Sequence, residues 1–265
     1  GGHTIMIIYI PTRGRAHDQV TLSYFPEDMR KEVVLVIDDD EEHLYENKYD
    51  CKFMVIPSTI KGISGKRQYI HENTSDPKIV MLDDDLRFYI RKSPTDWHLR
   101  YMEPDEYPAL FGLLDKWLDD YAHVGVSGRE GNNRVEHLSV ENTRYMRVLG
   151  YNLDMFDGIE LARTKVMEDF DINLQLLRQG KASKISYYYA QGQKSSNAAG
   201  GCSEWRTDEV QTEGAELLHS LHPDFVKIVE KETKTAWGGG IRKDVNVQWK
   251  RAYNSGLNKQ QGGLF

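Results

Sequence analysis

The stretch that most limits what this chain can become is KIVMLDDDLRFYIRK, residues 78–92, in which an apolar run stops abruptly at three consecutive aspartates. Ile79, Val80, Met81 and Leu82 have the length and apolarity of a strand buried on both faces, which in a soluble protein implies a parallel sheet covered by helices. Asp83, Asp84 and Asp85 then fall at the carboxyl end of that strand, where open α/β sheets place their ligands. Side chains alternate along an extended segment, so Asp83 and Asp85 are expected to point one way and Asp84 the other, and the first pair to share a cation. Hard oxygen donors suit Mg²⁺ or Mn²⁺, either of which would neutralise a diphosphate. The competing reading is an acidic turn that caps the next helix.

The residues around this run decide between the two. Ile5 to Ile10 reads as a first buried strand that enters the turn Pro11-Thr12-Arg13-Gly14-Arg15, with two fixed positive charges. A strand feeding a turn and then a helix is the usual entry to a nucleotide site. Val33 to Ile37 is a second strand, ending in Asp38 to Asp40, where a solvated turn is favoured over a second metal site. Phe53 to Ile56 is a third, closed by Pro57. Ser58 to Gln68 follows as a loop of small residues with Lys61, Lys66 and Arg67, leading into a helix over Arg67 to Asn73. This loop lacks the Walker A pattern, which excludes a P-loop NTPase, yet Lys66 and Arg67 at a helix start suit a diphosphate. Four strand signals within ninety residues imply a parallel, wound sheet.

At 265 residues the chain is long enough for a substantial core, as one large α/β domain or two small ones. No apolar run approaches the length of a membrane span and no signal-like segment precedes the first strand, so no membrane partner is expected. Cys51 and Cys202 are too few for a disulfide framework or a Cys-rich zinc site, and the expected home is a reducing cytoplasm. The net charge of −7 argues against a nucleic-acid partner only until its distribution is read. Residues 27–50 carry ten acids against Arg30, Lys31 and Lys48, which accounts for the whole −7, while residues 238–265 are net +4. Arg242, Lys243, Lys250 and Arg251 therefore offer a local basic face.

The second half of the chain changes period. Tyr107, Leu110, Leu114, Trp117 and Tyr121 form a core-facing helical stripe, and His123 to Val126 is another strand. The loop Ser127 to Arg134 is polar, Gly-rich and long enough to touch a substrate. Tyr145 to Phe156 reads as an auxiliary strand or hairpin. Met167, Phe170, Leu174 and Leu177 make one face of a helix that ends at Gly180. Glu168 and Asp169 lie in its first turn, where a carboxylate either caps the helix or stays ionised and takes a proton from an alcohol. Lys184 to Ala190 is a Tyr-rich strand leading to the loop Gln193 to Gly201, whose composition suits a mobile cover. His219 and His222 precede Pro223 and read as surface or capping residues, with a third metal ligand as the sharper alternative. Trp205, Trp237 and Trp249 are candidates for base stacking, set against ordinary packing. Residues from Asn254 read as a frayed tail.

Taken together, the IPTRGR turn, Asp83-Asp84-Asp85 and Glu168-Asp169 with its LLRQG helix end resemble a GT-A glycosyltransferase over about residues 4–190. IPTRGR, IPSTIKGISGKRQYI and VMLDDDLRFYIRK most resemble the family that includes base J glucosyltransferase and the phage enzymes that glycosylate 5-hydroxymethylpyrimidines in DNA. The resemblance implies a single GT-A-like domain over 1–265. Residues 4–92 would be the nucleotide-sugar half, 93–253 the acceptor half with a C-terminal extension, and 254–265 a tail. It implies that Asp83 and Asp85 hold Mn²⁺ or Mg²⁺, and that Arg13, Arg15, Lys66, Arg67, Asp83 and Asp84 contact a nucleotide-sugar, a UDP-sugar by preference. Asp169 would be the catalytic base, with Glu168 beside it in the same motif. The implied acceptor is DNA carrying hydroxymethylated pyrimidines, in a host cytoplasm if the source is a phage. The alternatives are a polysaccharide or protein acceptor, or a binding module without catalysis. Single displacement with Asp169 as base inverts the anomeric carbon; a retaining route needs no such base.

Overall fold

The computed structural model describes residues 6–194, 207–233 and 240–262. Its strands are β1 (Ile7–Pro11), β2 (Val34–Asp38), β3 (Lys52–Ile56), β4 (Lys78–Leu82), β5 (Leu86–Ser93), β6 (Asp96–Tyr101), β7 (His123–Gly128), β8 (Ser139–Glu141), β9 (Val148–Asn152), β10 (Ser183–Gln193), β11 (Val226–Thr233) and β12 (Gly240–Val247). The helices are α1 (Val20–Ser23), α2 (Glu27–Arg30), α3 (Gly62–Asn73), α4 (Tyr107–Trp117), α5 (Glu168–Arg178), α6 (Asp208–Leu221) and α7 (Trp249–Gly262).

Ten strands form one sheet in the order β3-β2-β1-β4-β9-β7-β10-β5-β6, with β8 on the side of β10. The first four are mutually parallel, as their continuous apolar runs require, and every residue of β4 is buried. From β1 the chain winds outward to β2 and β3, then crosses back to place β4 on the other side of β1. The gap between the carboxyl ends of β1 and β4 is thus the topological switch point, the crevice where such sheets bind ligands. Register sharpens this: Tyr9 pairs with Met81, which brings Thr12 and Asp84 to the same level just beyond the two strand ends.

Helices cover both faces of the sheet. On one, Tyr107, Leu110, Phe111 and Leu114 of α4 pack with Leu22 and Phe25 against Ile8, Ile10, Val80 and Leu82, with Trp117 and Tyr121 at the margin as the helical stripe predicts. On the other, Ile70 of α3 and Ile172 and Leu176 of α5 pack against Tyr9, Val36, Ile79 and Met81. Helix α5 has a second apolar side, on which Leu174 and Leu177 meet Leu218, Phe225, Val226 and Ala252, with Met167 and Phe170 partly buried beside them. It is therefore held between the sheet and a C-terminal unit of α6, β11, β12 and α7. Gly180 ends it at a positive φ of 77°.

Several elements differ from the sequence reading. Residues 148–152 are not peripheral: β9 sits inside the sheet, antiparallel to both β4 and β7. Residues 86–101 form an antiparallel hairpin that extends the sheet beyond β10, and residues 226–247 form a second two-stranded sheet. The segment expected to fray from Asn254 continues as α7 to Gly262. A Cβ on Gly256 would lie 2.4 Å from both the Gly180 nitrogen and the Leu177 oxygen, so glycine here lets α7 lie directly on the end of α5. No helix among the described residues is long and apolar enough to cross a membrane.

Candidate active site

The aspartate run leaves the sheet at Leu82, so its three residues occupy a turn rather than an extended strand. Strict alternation therefore does not apply. Arg15 reaches both Asp84, through a short contact, and Asp85 at 3.7 Å, whereas Asp83 faces Arg67 at 3.6 Å. The turn is held from several sides. The Asp83 amide donates to the Arg147 carbonyl at 3.0 Å, and Arg147 itself adopts a left-handed φ of 65°. Thr21 donates its hydroxyl to the Asp83 carbonyl at 2.5 Å and its amide to the Asp84 carbonyl at 3.1 Å. Thr12, buried at the end of β1, donates its hydroxyl to Asp84 at 2.7 Å and accepts from Gln19 at 2.9 Å. Asp84 is thereby committed to the protein, while the Asp83 side chain retains 31% exposure.

Despite that partial exposure, desolvation by the surrounding protein pushes the Asp83 carboxyl up to about 6 against the opposing pull of Arg67, and the neighbouring Asp85 and Asp84 raise it further. Burial likewise raises Asp84, although Thr12 and Arg15 counter it. Three acids in one turn repel one another, and a bound cation would relieve that repulsion. Among the described residues no group of three or more His, Cys, Asp or Glu side chains is placed to hold a metal ion. A hexacoordinate Mg²⁺ or Mn²⁺ ordinarily takes one or two carboxylates and completes its shell with substrate phosphates and water; Asp83 and Asp85, on different arginines, are the carboxylates of the turn that Thr12 does not engage.

Each of the four predicted cations rests on a carboxylate, but only Arg15 and Arg67 touch this turn. Arg13 makes a short contact with Asp38 and a 3.0 Å ion pair with Asp40, and Lys66 shares Asp38 at 3.2 Å. Asp38 is buried at the end of β2 and gathers both Arg13 and Lys66, where the sequence reading expected a solvated turn; Asp39 and Asp40 beside it are exposed. Arg67 contacts Glu168 closely as well as Asp83, and so ties α3 to the start of α5. Ser64 adds a hydrogen bond to the Thr164 carbonyl at 2.8 Å.

At the start of α5, Glu168 is buried against Arg67; burial raises its pKa, and Arg67 opposes the rise. Asp169 is half-buried and makes no hydrogen bond or ion pair among the described residues. The N-cap of α5 is Met167, in a left-handed conformation at φ 59° and without a side-chain cap bond, so Asp169 does not cap the helix. Beneath it Tyr151 is fully buried with its hydroxyl unpartnered, and burial together with the charge of Asp169 holds the phenol well above its ordinary pKa. The same helix is anchored from behind: Asp171 takes both Arg163 nitrogens at 2.6 and 2.9 Å and His222 Nε2 at 2.7 Å. His222 Nδ1 accepts from Arg178 at 2.9 Å, and His219 Nδ1 meets the Val226 carbonyl at 2.6 Å. Both histidines are engaged within the protein, as their plainer reading expects, except that His222 is buried and not at the surface.

The other candidates divide. Trp249 packs edge-on to Phe170 at 5.2 Å, partly buried against the C-terminal core. Trp205, Trp237 and the loop from 195 to 201 lie outside the described residues. Lys243 pairs with Glu216 at 2.8 Å and Arg242 with Asp244 at 3.7 Å, so half of the expected basic face is neutralised within the protein.

A sequence profile described as TET-Associated Glycosyltransferase matches residues 6–201. The chain belongs to that family. It is a glycosyltransferase, and its wound, mainly parallel sheet is the one expected of a GT-A enzyme. Two relatives are the Beta-glucosyl-HMC-alpha-glucosyl-transferases of Enterobacteria phages T6 and T2. Each is 23% identical, over 233 and 221 residues, covering 81% and 77% of this chain and 80% and 76% of theirs. Among solved structures, S. aureus TarS 1–349 in complex with UDP-GlcNAc matches 82% of this glycosyltransferase and 66% of that chain, with a TM-score of 0.52 at 12% identity. A mycobacterial protein matches with a TM-score of 0.50 at 10% identity, over 92% of this chain and 84% of its own. These two are likenesses of fold.

Proposed function

We propose that this glycosyltransferase moves a sugar from a UDP-sugar to a hydroxyl borne by 5-hydroxymethylpyrimidines in DNA. The observation that carries the reading is the pairing of an acidic turn at the switch point, contacted by Arg15 and Arg67, with a carboxylate on α5 that has no hydrogen-bond or ion-pair partner among the described residues. The family and the phage relatives named for HMC support the acceptor; the neighbour solved with UDP-GlcNAc supports the donor.

In this reading Asp83 and Asp85 hold a divalent cation, which when bound neutralises the charge that grows on the departing diphosphate. Arg15 and Arg67 sit where phosphate oxygens compete with Asp85 and Asp83 for their N–H groups, so donor binding exchanges internal ion pairs for charge-assisted bonds to substrate. Arg13 and Lys66, gathered on Asp38, serve the nucleoside side of the crevice. Asp169 accepts the proton of the attacking hydroxyl in a single in-line displacement of the diphosphate, and it is that displacement which inverts the anomeric carbon. A second reading follows from the relatives' names: they form an α-glucoside, and nucleoside diphosphate glucoses are themselves α-linked, so retention would carry over if chemistry is shared. Asp169 then orients the acceptor without deprotonating it.

The test is incubation of the protein with labelled UDP-sugars, Mn²⁺ and either hydroxymethylated or plain DNA, followed by digestion to nucleosides and mass spectrometry. Label on hydroxymethylated nucleosides alone is expected. Label only on glycans or proteins supplied in parallel would refute the acceptor. The anomeric proton coupling of the product decides between inversion and retention.

A further inference from the structure

Strand β5 begins one residue after Asp85 and alternates cleanly. Leu86, Phe88 and Ile90 enter the core, while Arg87, Tyr89 and Arg91 take the opposite face. Arg91 is fully buried and fixes the loop after β7, donating to Asn132 Oδ1 at 3.1 Å, to the Asn132 carbonyl at 2.9 Å and to the Val135 carbonyl at 2.6 Å. That loop carries Arg129 back over the sheet. Gly192 of β10 pairs with Arg87, and a Cβ there would stand 3.3 Å from both Arg129 Cδ and Tyr89 Cε2. Glycine at 192 thus lets Arg129 and Tyr89 close up without shifting, and the Tyr89 hydroxyl accepts from Arg129 at 3.0 Å.

The resulting surface is unusual in its chemistry. Tyr89 and Tyr101 are a cross-strand pair with ring centroids 5.0 Å apart, and Tyr101 is 48% exposed on the edge strand β6. The Arg87 guanidinium lies 3.3 Å from the centre of the Tyr101 ring and 4.8 Å from that of Tyr24. Among the described residues Arg87 makes no hydrogen bond or ion pair, its Nε is closed off from solvent, and Arg129 pairs with no carboxylate. Two arginines without acidic partners, beside an exposed aromatic ring, contrast with the nearby donor-side cations, each of which has its carboxylate. Cations that track a backbone combined with rings that stack on bases are the two components of sequence-tolerant single-strand binding. The surface also starts two residues from Asp85, so anything held on it is presented to the donor end of the site.

We propose that Arg87, Tyr89, Tyr101 and Arg129 form the platform for the acceptor strand, with the guanidiniums taking backbone phosphates and the Tyr101 ring taking a base next to the modified one. This rests on the nucleic-acid reading of the acceptor. A strand held on it has its bases exposed rather than paired, so the platform favours single-stranded or locally opened DNA over an intact duplex.

The test uses the full chain and its Tyr101→Ala, Arg129→Gln and Arg87→Gln variants, with fluorescence anisotropy on single-stranded DNA across a salt series and transfer kinetics on hydroxymethylated DNA. Tyr101→Ala is expected to raise the Kd and the KM for DNA about tenfold or more, the loss of one stacked base. Each Arg→Gln change should flatten the salt dependence by about 0.7 in log–log slope. UDP-sugar affinity, read by calorimetry, is the folding and donor-site control; Tyr101 and Arg129 are exposed enough for their variants to fold even if Arg87→Gln does not. Transfer to DNA by the wild type with unchanged DNA affinity and salt slope in the variants overturns the platform alone. A wild type that neither binds nor modifies DNA overturns the acceptor reading and the platform with it.

Discussion

Glu168 and Asp169 are adjacent in the chain and opposite in situation: the Glu168 carboxylate is sealed against the Arg67 guanidinium, while that of Asp169 is half-buried with no hydrogen bond or ion pair among the described residues. One carboxylate is committed to the contact between α3 and α5, and the other is not. Asp169→Asn keeps the volume and removes the proton acceptor, so transfer should fall by roughly 10²–10⁴-fold with donor binding intact. Glu168→Gln weakens the tie between α3 and α5, and should lower both donor affinity and thermal stability. Initial rates alongside donor calorimetry separate the two; near-normal turnover of Asp169→Asn would remove it as base and leave the retaining route.

Asp85 is the less committed partner of Arg15, at 3.7 Å against the close contact that Arg15 makes with Asp84. Asp85→Asn takes a ligand charge from the proposed cation without breaking the Thr12 to Asp84 bond. Donor affinity measured with Mn²⁺ should drop by tenfold or more, while donor affinity in chelator, already weak, stays put. Equal losses with and without the metal would show Asp85 to be a donor or structural contact only.

The buried histidines predict an acid limb. His71 packs between Tyr151 and Phe156 with both ring nitrogens unpartnered, and burial, aided by Arg67, lowers it to about 4. Below its unfolded value near 6.5 the unfolded chain binds the proton that the folded chain refuses. Stability is therefore intact above about 6.5 and is lost as pH falls toward 4, by up to about 1.4 kcal/mol per pH unit for this one group. His71→Phe should remove that share of the slope in urea unfolding between pH 7 and 5. An unaltered slope would mean that His71 is protonated in the fold.

How much of this was legible in the sequence depends on whether local chemistry or tertiary contact set the outcome. Strands β1 to β4 and the helical stripes of α4 and α5 follow from apolar runs and period, and the cations and acids at the strand ends follow from their position in that pattern. Asp38 did not, because a buried acid and a solvated one look alike until Arg13 and Lys66 are seen to converge on it. Strands β5 and β6 do alternate, Leu86, Phe88 and Ile90 against Arg87 and Arg91, then Trp97, Leu99 and Tyr101 against Asp96, His98 and Arg100, but so many charges suit an exposed segment equally well; Arg91 is buried only because loop carbonyls satisfy it. Trp249 resembled a stacking residue but packs on Phe170. The C-terminal helix α7 was hidden by its own composition of Asn, Gln and Gly.

Gly256 shows why that composition folds. Glycine in a helix interior costs about 1 kcal/mol relative to alanine, so on propensity alone Gly256→Ala should stabilise α7 by about that amount. The contact says otherwise. The added methyl would stand 2.4 Å from the Gly180 nitrogen and the Leu177 oxygen, both backbone atoms that cannot rotate away. Helix α7 must lift from the end of α5, and the layer of Leu174, Leu177 and Ala252 opens with it. Overpacking of this kind outweighs the propensity gain, and Gly256→Ala is expected to destabilise by about 1–3 kcal/mol in urea unfolding, with Gly256→Val worse. Because α5 carries Asp169, the displaced helix should also lower transfer before the chain unfolds. A Gly256→Ala variant as stable as the wild type or more so would show that α7 does not lie on α5 in solution.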